Sequence, residues 1–401
     1  MKKTILLKSL LFLGLFLSLV SCVDPYKLQT TNYEEVIVIE ATITNELKRQ
    51  EIKISKTYTF ENDGLVLVDN ATVFITDDSG TQYDFTEESG RYLSSNEFQA
   101  IPGKNYTLNV ATANGRMYKS TAQTLTTINQ IESLVPTVVT NNEGERGVQI
   151  AVNNFDATNT SKYYRYEYEE TAKVTAPLWR DLKAILLPPN AEINHFYISL
   201  ITRDTEARTC YTPNKSNSII LTTTNQLLED RVINFPVRFL SQNDYTIAER
   251  YSVLVKQYVE SLESYTFYKT LKEISASGDV LSPSQPGFFY GNLTSVSDSE
   301  EKVIGFFNVS SVSEKRLFFN YTDLFPGEQY PPYFDVCELT DYNYCFLAAP
   351  ADCDGTRLNN LVQSNSVIYY SINGDIYTFI KPICGDCTSF SSNIRPTFWI
   401  D

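Results

Sequence analysis

Histidine is nearly absent from this 401-residue chain: His195 is the only one, beside two methionines and two tryptophans. One histidine rules out an HExxH zinc site. Any Ser-His-Asp triad would have to use His195, which stands among apolar and aromatic neighbours in AEINHFYISL with no nucleophile-elbow motif to support it. Glycine-rich phosphate loops of the GxxxxGK[ST] or GxGxxG kind are missing, as is an EF-hand calcium loop. Basic residues are scarce relative to acids, 33 against 48, for a formal charge of −15. That balance excludes a nucleic-acid binder, whose phosphate contacts need a basic surface. Internal repeats, low-complexity tracts and heptads are also absent. Among the many carboxylates a glycosidase-like acid pair stays open, but sequence alone picks none.

What is present begins at the start of the chain. Lys2, Lys3 and Lys8 precede an apolar run from Leu10 to Val20. The run is too short for a bilayer-spanning helix, which needs about 20 apolar residues, and fits the core of a signal peptide. It ends in Leu19-Val20-Ser21-Cys22, which resembles the bacterial lipobox. The expectation is a signal peptide over 1–21 and a mature chain starting at Cys22, carrying a covalent lipid and no other cofactor. Acyl chains contribute roughly 0.8 kcal/mol per buried methylene, enough for lasting attachment when several are present. Losing three lysines and no acids takes the charge from −15 to −18. So acidic a body is not drawn to anionic lipid and should be held away from it, with 22–32 as a short polar tether.

Aromatic and β-branched residues are abundant, with 27 tyrosines and 23 phenylalanines. Such residues fit a pleated, half-buried surface, so a mainly β protein is expected. EEVIVIEATIT, QEIKISKTY and NATVFITD alternate with period two, and turns at DDSG, SGRYLS and Asn114-Gly115 separate short strands about ten residues apart. That spacing predicts an immunoglobulin- or fibronectin-like β-sandwich over 33–125. A larger β-rich domain follows over 126–401. Within it KYYRYEYEE puts Tyr164, Tyr166 and Tyr168 on one strand face and Tyr163, Arg165 and Glu167 on the other. The aromatic face reads either as packing under a sheet or as an exposed ligand platform. One clear helix is expected, capped at Ser261 and stopped at Gly278. KVIGFFNVSSVSEKRLFFN reads as a hairpin turning at Ser313-Glu314, and SVIYYSINGDIYTFIKP as another at Asn373-Gly374.

Six cysteines remain beyond Cys22: Cys210, Cys337, Cys345, Cys353, Cys384 and Cys387. An even number in an exported chain favours disulfides, with 15 possible pairings. Five of them crowd the C-terminal region, where they would staple long loops lacking a core of their own. Rival readings are a redox-active Cys384-Gly385-Asp386-Cys387 and zinc binding through Cys353, Cys384, Cys387 and one more ligand. The aromatics of QYPPYF, Tyr330, Tyr333 and Phe334, are candidate contacts for a partner.

Several strings carry a resemblance: VIEATIT and SGRYLS, RTCYTPNKSNSIILTT, the stretch from RYSVLVKQYVESLESYTFYKTLKEISASG to GFFYGNL, VIGFFNVSSVSEKRLFF, and the terminal CGDCTSFSSNIRPTFWI. Together they resemble the Bacteroidota outer-membrane lipoprotein family known as domain of unknown function 4249, over nearly the whole mature chain. The resemblance implies an outer-membrane lipoprotein, often encoded beside a TonB-dependent receptor, with no accepted catalytic residues. Departures are Tyr211, where a Trp is common after the Cys, and SSNIRP, which lacks the glycines and Lys often seen before the Pro. CVDPYKLQT has only Asp24 as an acidic signal after the lipid-bearing Cys, and the cell surface is expected ahead of the periplasmic face. The leading expectation is a non-enzymatic lipoprotein that binds a partner barrel or its captured nutrient. A structural accessory subunit of an outer-membrane assembly, and a surface hydrolase using a carboxylate pair, are the alternatives.

Overall fold

The computed structural model describes residues 36–57, 66–189, 196–276, 290–344 and 353–401. Its first strands are β1 (Ile37–Thr44), β2 (Glu51–Lys56), β3 (Val66–Leu67), β4 (Thr72–Asp77), β5 (Gln82–Glu88), β6 (Arg91–Ser94), β7 (Asn105–Ala111), β8 (Met117–Ser120) and β9 (Gln123–Thr124). Period-two alternation decides what they bury. Ile37, Ile39, Ala41 and Ile43 of β1 face Ile52, Ile54, Val73, Ile75, Tyr106 and Leu108 in one core. Val38, Glu40 and Thr42 point the other way. The β7–β8 turn falls where Asn114-Gly115 predicts it: Gly115 takes φ +86°, and Thr112 N–H donates to the Arg116 carbonyl at 2.9 Å. Residues 33–125 do not complete this core by themselves, since Leu293, Val303, Phe307 and Val309 join it from far downstream.

A second core lies between two sheets. Its strands are β10 (Ile131–Thr140), β11 (Arg146–Asp156), β12 (Tyr163–Thr175), the hairpin β13 (Leu182–Leu187) and β14 (Tyr197–Thr202), β15 (Thr209–Lys215), β16 (Ile220–Thr223), β17 (Asp230–Ser241) and β18 (Arg250–Glu260). β10, β11 and β17 form a three-stranded sheet. Its Val148, Ile150 and Val152 pack with Tyr164 and Tyr166 of β12 and with Val253 and Val255 of β18. Tyr164 and Tyr166 are fully buried and Tyr168 nearly so, which settles the aromatic face of β12 as core packing rather than a platform. The helix α1 (Leu262–Ala276) follows β18, with Ser264 N–H donating to the Ser261 hydroxyl at 3.0 Å, the expected N-terminal cap. Gly278, the expected stop, lies outside the described residues.

β19 (Leu293–Ser295) pairs with β8, and β20 (Val303–Asn320) then runs for 18 residues without a turn. The expected hairpin at Ser313-Glu314 does not form. Neither residue supplies the positive φ that a tight hairpin turn needs, and the two halves of the run have separate partners. Val303–Ser310 lies parallel to β1, and Ser311–Asn320 lies antiparallel to β18. β20 therefore joins the two halves into one 15-stranded sheet. At about 3.3 Å per residue it spans up to about 60 Å.

The end of the chain holds α2 (Tyr321–Leu324), β21 (Thr340–Asn343), α3 (Gly355–Gln363), β22 (Ile368–Asn373), β23 (Ile376–Ile380) and α4 (Pro382–Gly385). β22 and β23 form the expected hairpin at Asn373-Gly374. The Cys-rich region was expected to be loops without a core, yet Tyr342, Tyr344, Leu358, Val362, Tyr369 and Phe379 bury together with Ile198 of β14. This third core forms because the insertion between β12 and β15 returns to meet the C-terminal segment, a contact across about 150 residues that no local pattern encodes. The α3 helix was likewise not anticipated beside the one clear helix. It buries only Leu358 and Val362.

Candidate functional site

A cleft of about 800 Å³ opens on the face where the long sheet passes from β2 and β1 through β20 to β18 and β12. Alternation fills it. The residues of β1 that turn away from the first core, Val38, Glu40 and Thr42, form one wall. Arg165, Glu167 and Glu169, the non-core face of β12, form the opposite one. Lys256 and Tyr258 come from β18, and Phe267, Tyr268 and Leu271 from α1 close one side.

Arg165 is the buried charge of this lining. The residue is only 7 % exposed, and its guanidinium lies 4.1 Å from the Tyr258 ring centroid and 4.6 Å from that of Tyr268. Its Nε donates to Glu260 at 2.8 Å, and its Nη1 pairs with Glu167. Glu260 also accepts from Ser264 Oγ at 2.7 Å and Asn308 Nδ2 at 2.6 Å, and its side chain is sealed from solvent. Burial works against the Arg165 cation, but Tyr268, Glu260 and Glu167 overcome it and hold the group charged. Burial also pushes the Tyr258 phenol well above its usual range, reinforced by Glu167, so it stays a hydroxyl that donates to that carboxylate at 3.2 Å.

The rim carries further ion pairs. Lys256 and Lys215 lie 3.3 and 3.6 Å from Glu169, Lys53 lies 3.5 Å from Glu51, and Arg49 lies 2.6 Å from Glu88. Burial would raise Glu169, but the two lysines outweigh it and hold it below the usual carboxylate range. That is the reverse of what a general acid requires. Glu260, the buried carboxylate next to the cleft, is fully used by its three donors.

A second feature occupies the far end of β20 from Ile37. Tyr330, Phe334, Val336 and Leu339 expose 57, 43, 69 and 54 % of their surface there. Tyr330 lies against Tyr321 at 5.4 Å, and Phe334 sits between Tyr245 at 4.6 Å and Phe390 at 5.1 Å. Tyr333 is half-buried and its hydroxyl donates to the Ile383 carbonyl at 2.6 Å, so it is a strut of the loop rather than a free contact. The structure thus brings the three predicted aromatics onto one loop but leaves only Tyr330 and Phe334 well exposed.

Cys337–Cys384 ties that loop down, and Cys210–Cys387 joins β15 to the segment just after α4. The two cysteines of the CxxC are bonded to distant partners rather than to each other. They act as staples, which uses up the sulfurs that the redox and zinc readings required. Cys353 is half-buried just before α3. Cys22, Cys345 and His195 lie outside the described residues. No group of three or more His, Cys, Asp or Glu side chains able to hold a metal occurs among the described residues. No described helix is long and apolar enough to cross a membrane.

The sequence reading missed the cleft as a site. Its signal was the mixed face of KYYRYEYEE, since Arg165 and Glu167 there line it. The strands that complete it come from four distant stretches of chain.

A family model described as "Domain of unknown function (DUF4249)" matches residues 23–316. No curated protein matches the chain. Among solved structures, a DUF4785 family protein from Legionella pneumophila is similar at 12 % identity and a TM-score of 0.13, over 54 % of this chain and 50 % of that one. The chain thus spans about half the length of that protein. A structure titled "Biofilm associated protein - BSP domain" is similar at 9 % identity and a TM-score of 0.15, over 88 % of this chain and 77 % of that one.

Proposed function

The chain belongs to the DUF4249 family, and from that premise we propose that it is a non-catalytic lipoprotein which docks a partner β-barrel in the outer membrane through its stapled loop face. The observation that carries this reading is the apolar surface of Tyr330, Phe334, Val336 and Leu339 on a segment fixed by Cys337–Cys384 and the Tyr333 hydroxyl. Exposed apolar patches with aromatic anchors are the usual basis of protein docking, and a pre-ordered loop loses little conformational freedom on binding. The lipid on Cys22 would hold the first strands toward the membrane, at the cell surface ahead of the periplasmic face. β20 would then set the loop face up to about 60 Å from the Ile37 end. The negative charge keeps nucleic acid out of the list of partners.

The test is co-purification of the tagged full chain from native membranes in mild detergent, with mass spectrometry of what is retained. A β-barrel recovered with the wild type and lost with Tyr330→Ala/Phe334→Ala supports the reading. Equal recovery with that variant, or no barrel at all, overturns it. Cys22→Ala should move the chain from the membrane to the soluble fraction, and a chain still membrane-bound would sink the anchor.

A further inference from the structure

We propose that the cleft across β1, β20, β18 and β12 binds a short neutral oligosaccharide, a role separate from docking through the loop face. Its volume, about 800 Å³, lies in the range of small-molecule sites and admits a chain of a few sugar rings. The class of ligand follows from how most of the lining charges are already used. Lys256 and Lys215 share Glu169, Lys53 pairs with Glu51, and Arg165 is divided between Glu167 and Glu260. An anionic ligand would have to compete with Glu169, Glu51, Glu167 and Glu260 for these cations, whereas the exposed Glu40 carries no ion pair among the described residues and can accept from a hydroxyl. A hydroxyl both donates and accepts. It can bridge an ammonium and its carboxylate without separating them, so a polyol adds hydrogen bonds to the cleft as it stands.

The backbone argues against the main rival, an extended peptide. Peptides added to a sheet need an unpaired strand edge. Here β1 is held between β2 and β20, β18 between β12 and β20, and β12 between β18 and the β15 and β16 strands. Recognition in the cleft therefore falls to side chains. Phe267 and Leu271 of α1 give an apolar wall for the C–H face of a sugar ring, next to the charged strands that would meet its hydroxyls.

The test uses the full-length protein in detergent. The probes are neutral malto-, cello-, xylo- and manno-oligosaccharides of three to five rings, with oligogalacturonate and tripeptides as charged and peptide controls. Binding is read by saturation-transfer NMR and calorimetry. At least one neutral series is expected to bind, with affinity changing less than about twofold between about 0.05 and 0.5 M NaCl, because no net charge is exchanged. Ser218→Trp fills the cleft from an exposed position and should weaken binding at least about tenfold while the melting temperature is unchanged. Binding of the controls instead of the neutral probes overturns the proposal. So does binding that Ser218→Trp leaves intact, or no binding by any neutral series. None of these outcomes bears on barrel recovery in the pull-down, so the two readings fail separately.

Discussion

Replacing Glu260 by Gln tests the buried ion pair under the cleft. The Glu260 side chain is sealed from solvent and accepts from Arg165 Nε, Ser264 Oγ and Asn308 Nδ2 at 2.8, 2.7 and 2.6 Å. An amide of the same shape has one acceptor oxygen and no charge. It leaves the guanidinium of Arg165, 7 % exposed, with only Glu167 as its counter-ion. Breaking one partner of a buried pair costs about 3–5 kcal/mol, because the remaining charge stays buried without compensation. Glu260→Gln should therefore lose about 3–5 kcal/mol, and Arg165→Met should lose a similar amount through a stranded carboxylate. The double variant should lose less than either single one. With the cation gone, the introduced amide can still accept from Ser264 and Asn308, and the introduced thioether packs between the rings of Tyr258 and Tyr268. Urea denaturation followed by circular dichroism, with midpoints compared at constant slope, measures all three. If the two single losses add within about 0.5 kcal/mol in the double variant, the reasoning is refuted, since independent sites add and coupled ones do not.

Other expectations follow from the same structure. A Cβ on Gly305, at φ +142°, would meet the Ile39 carbonyl oxygen at 2.0 Å, so Gly305→Ala should cost about 3–5 kcal/mol by splitting β20 from β1; a wild-type urea midpoint would refute it. The Cys210→Ser/Cys387→Ser variant opens a link between residues 177 apart in sequence and should lose about 3–5 kcal/mol. Limited proteolysis should then cut first within 321–401, and an unchanged digestion pattern would argue against the staple. Burial alone would raise Asp156, but hydrogen bonds from Thr158 and Ser161 hold it well below the usual carboxylate range. A depressed folded pKa gives stability that is present above the unfolded value of about 3.9 and lost as pH falls below it. Asp156→Asn should thus flatten the acid limb of the melting-temperature profile below about pH 4. A limb as steep as that of the wild type would refute the assignment.

Much of the local structure was legible because alternation acts over a few residues. IVIEATIT and KYYRYEYEE each announce a strand and which side chains share a face, and Ser261 announces the start of α1. The same local rules failed for VIGFFNVSSVSEKRLFF. A turn at Ser313-Glu314 and an unbroken strand look alike until the partners are known, and the partners are β1 and β18, far away in sequence. The loop aromatics Tyr330, Tyr333 and Phe334 stood out by type, but only packing separated the strut, Tyr333, from the exposed pair.

Sequence by itself determined the β class, the core faces of single strands, the expectation of an anchor at Cys22 and the absence of HExxH, GxxxxGK[ST] and GxGxxG motifs. These depend on residue type and near spacing. Tertiary structure alone decided the disulfide pairing, the third core and the cleft. Each of these is made by residues brought together across tens to hundreds of positions, where burial of apolar surface rather than local preference sets the arrangement.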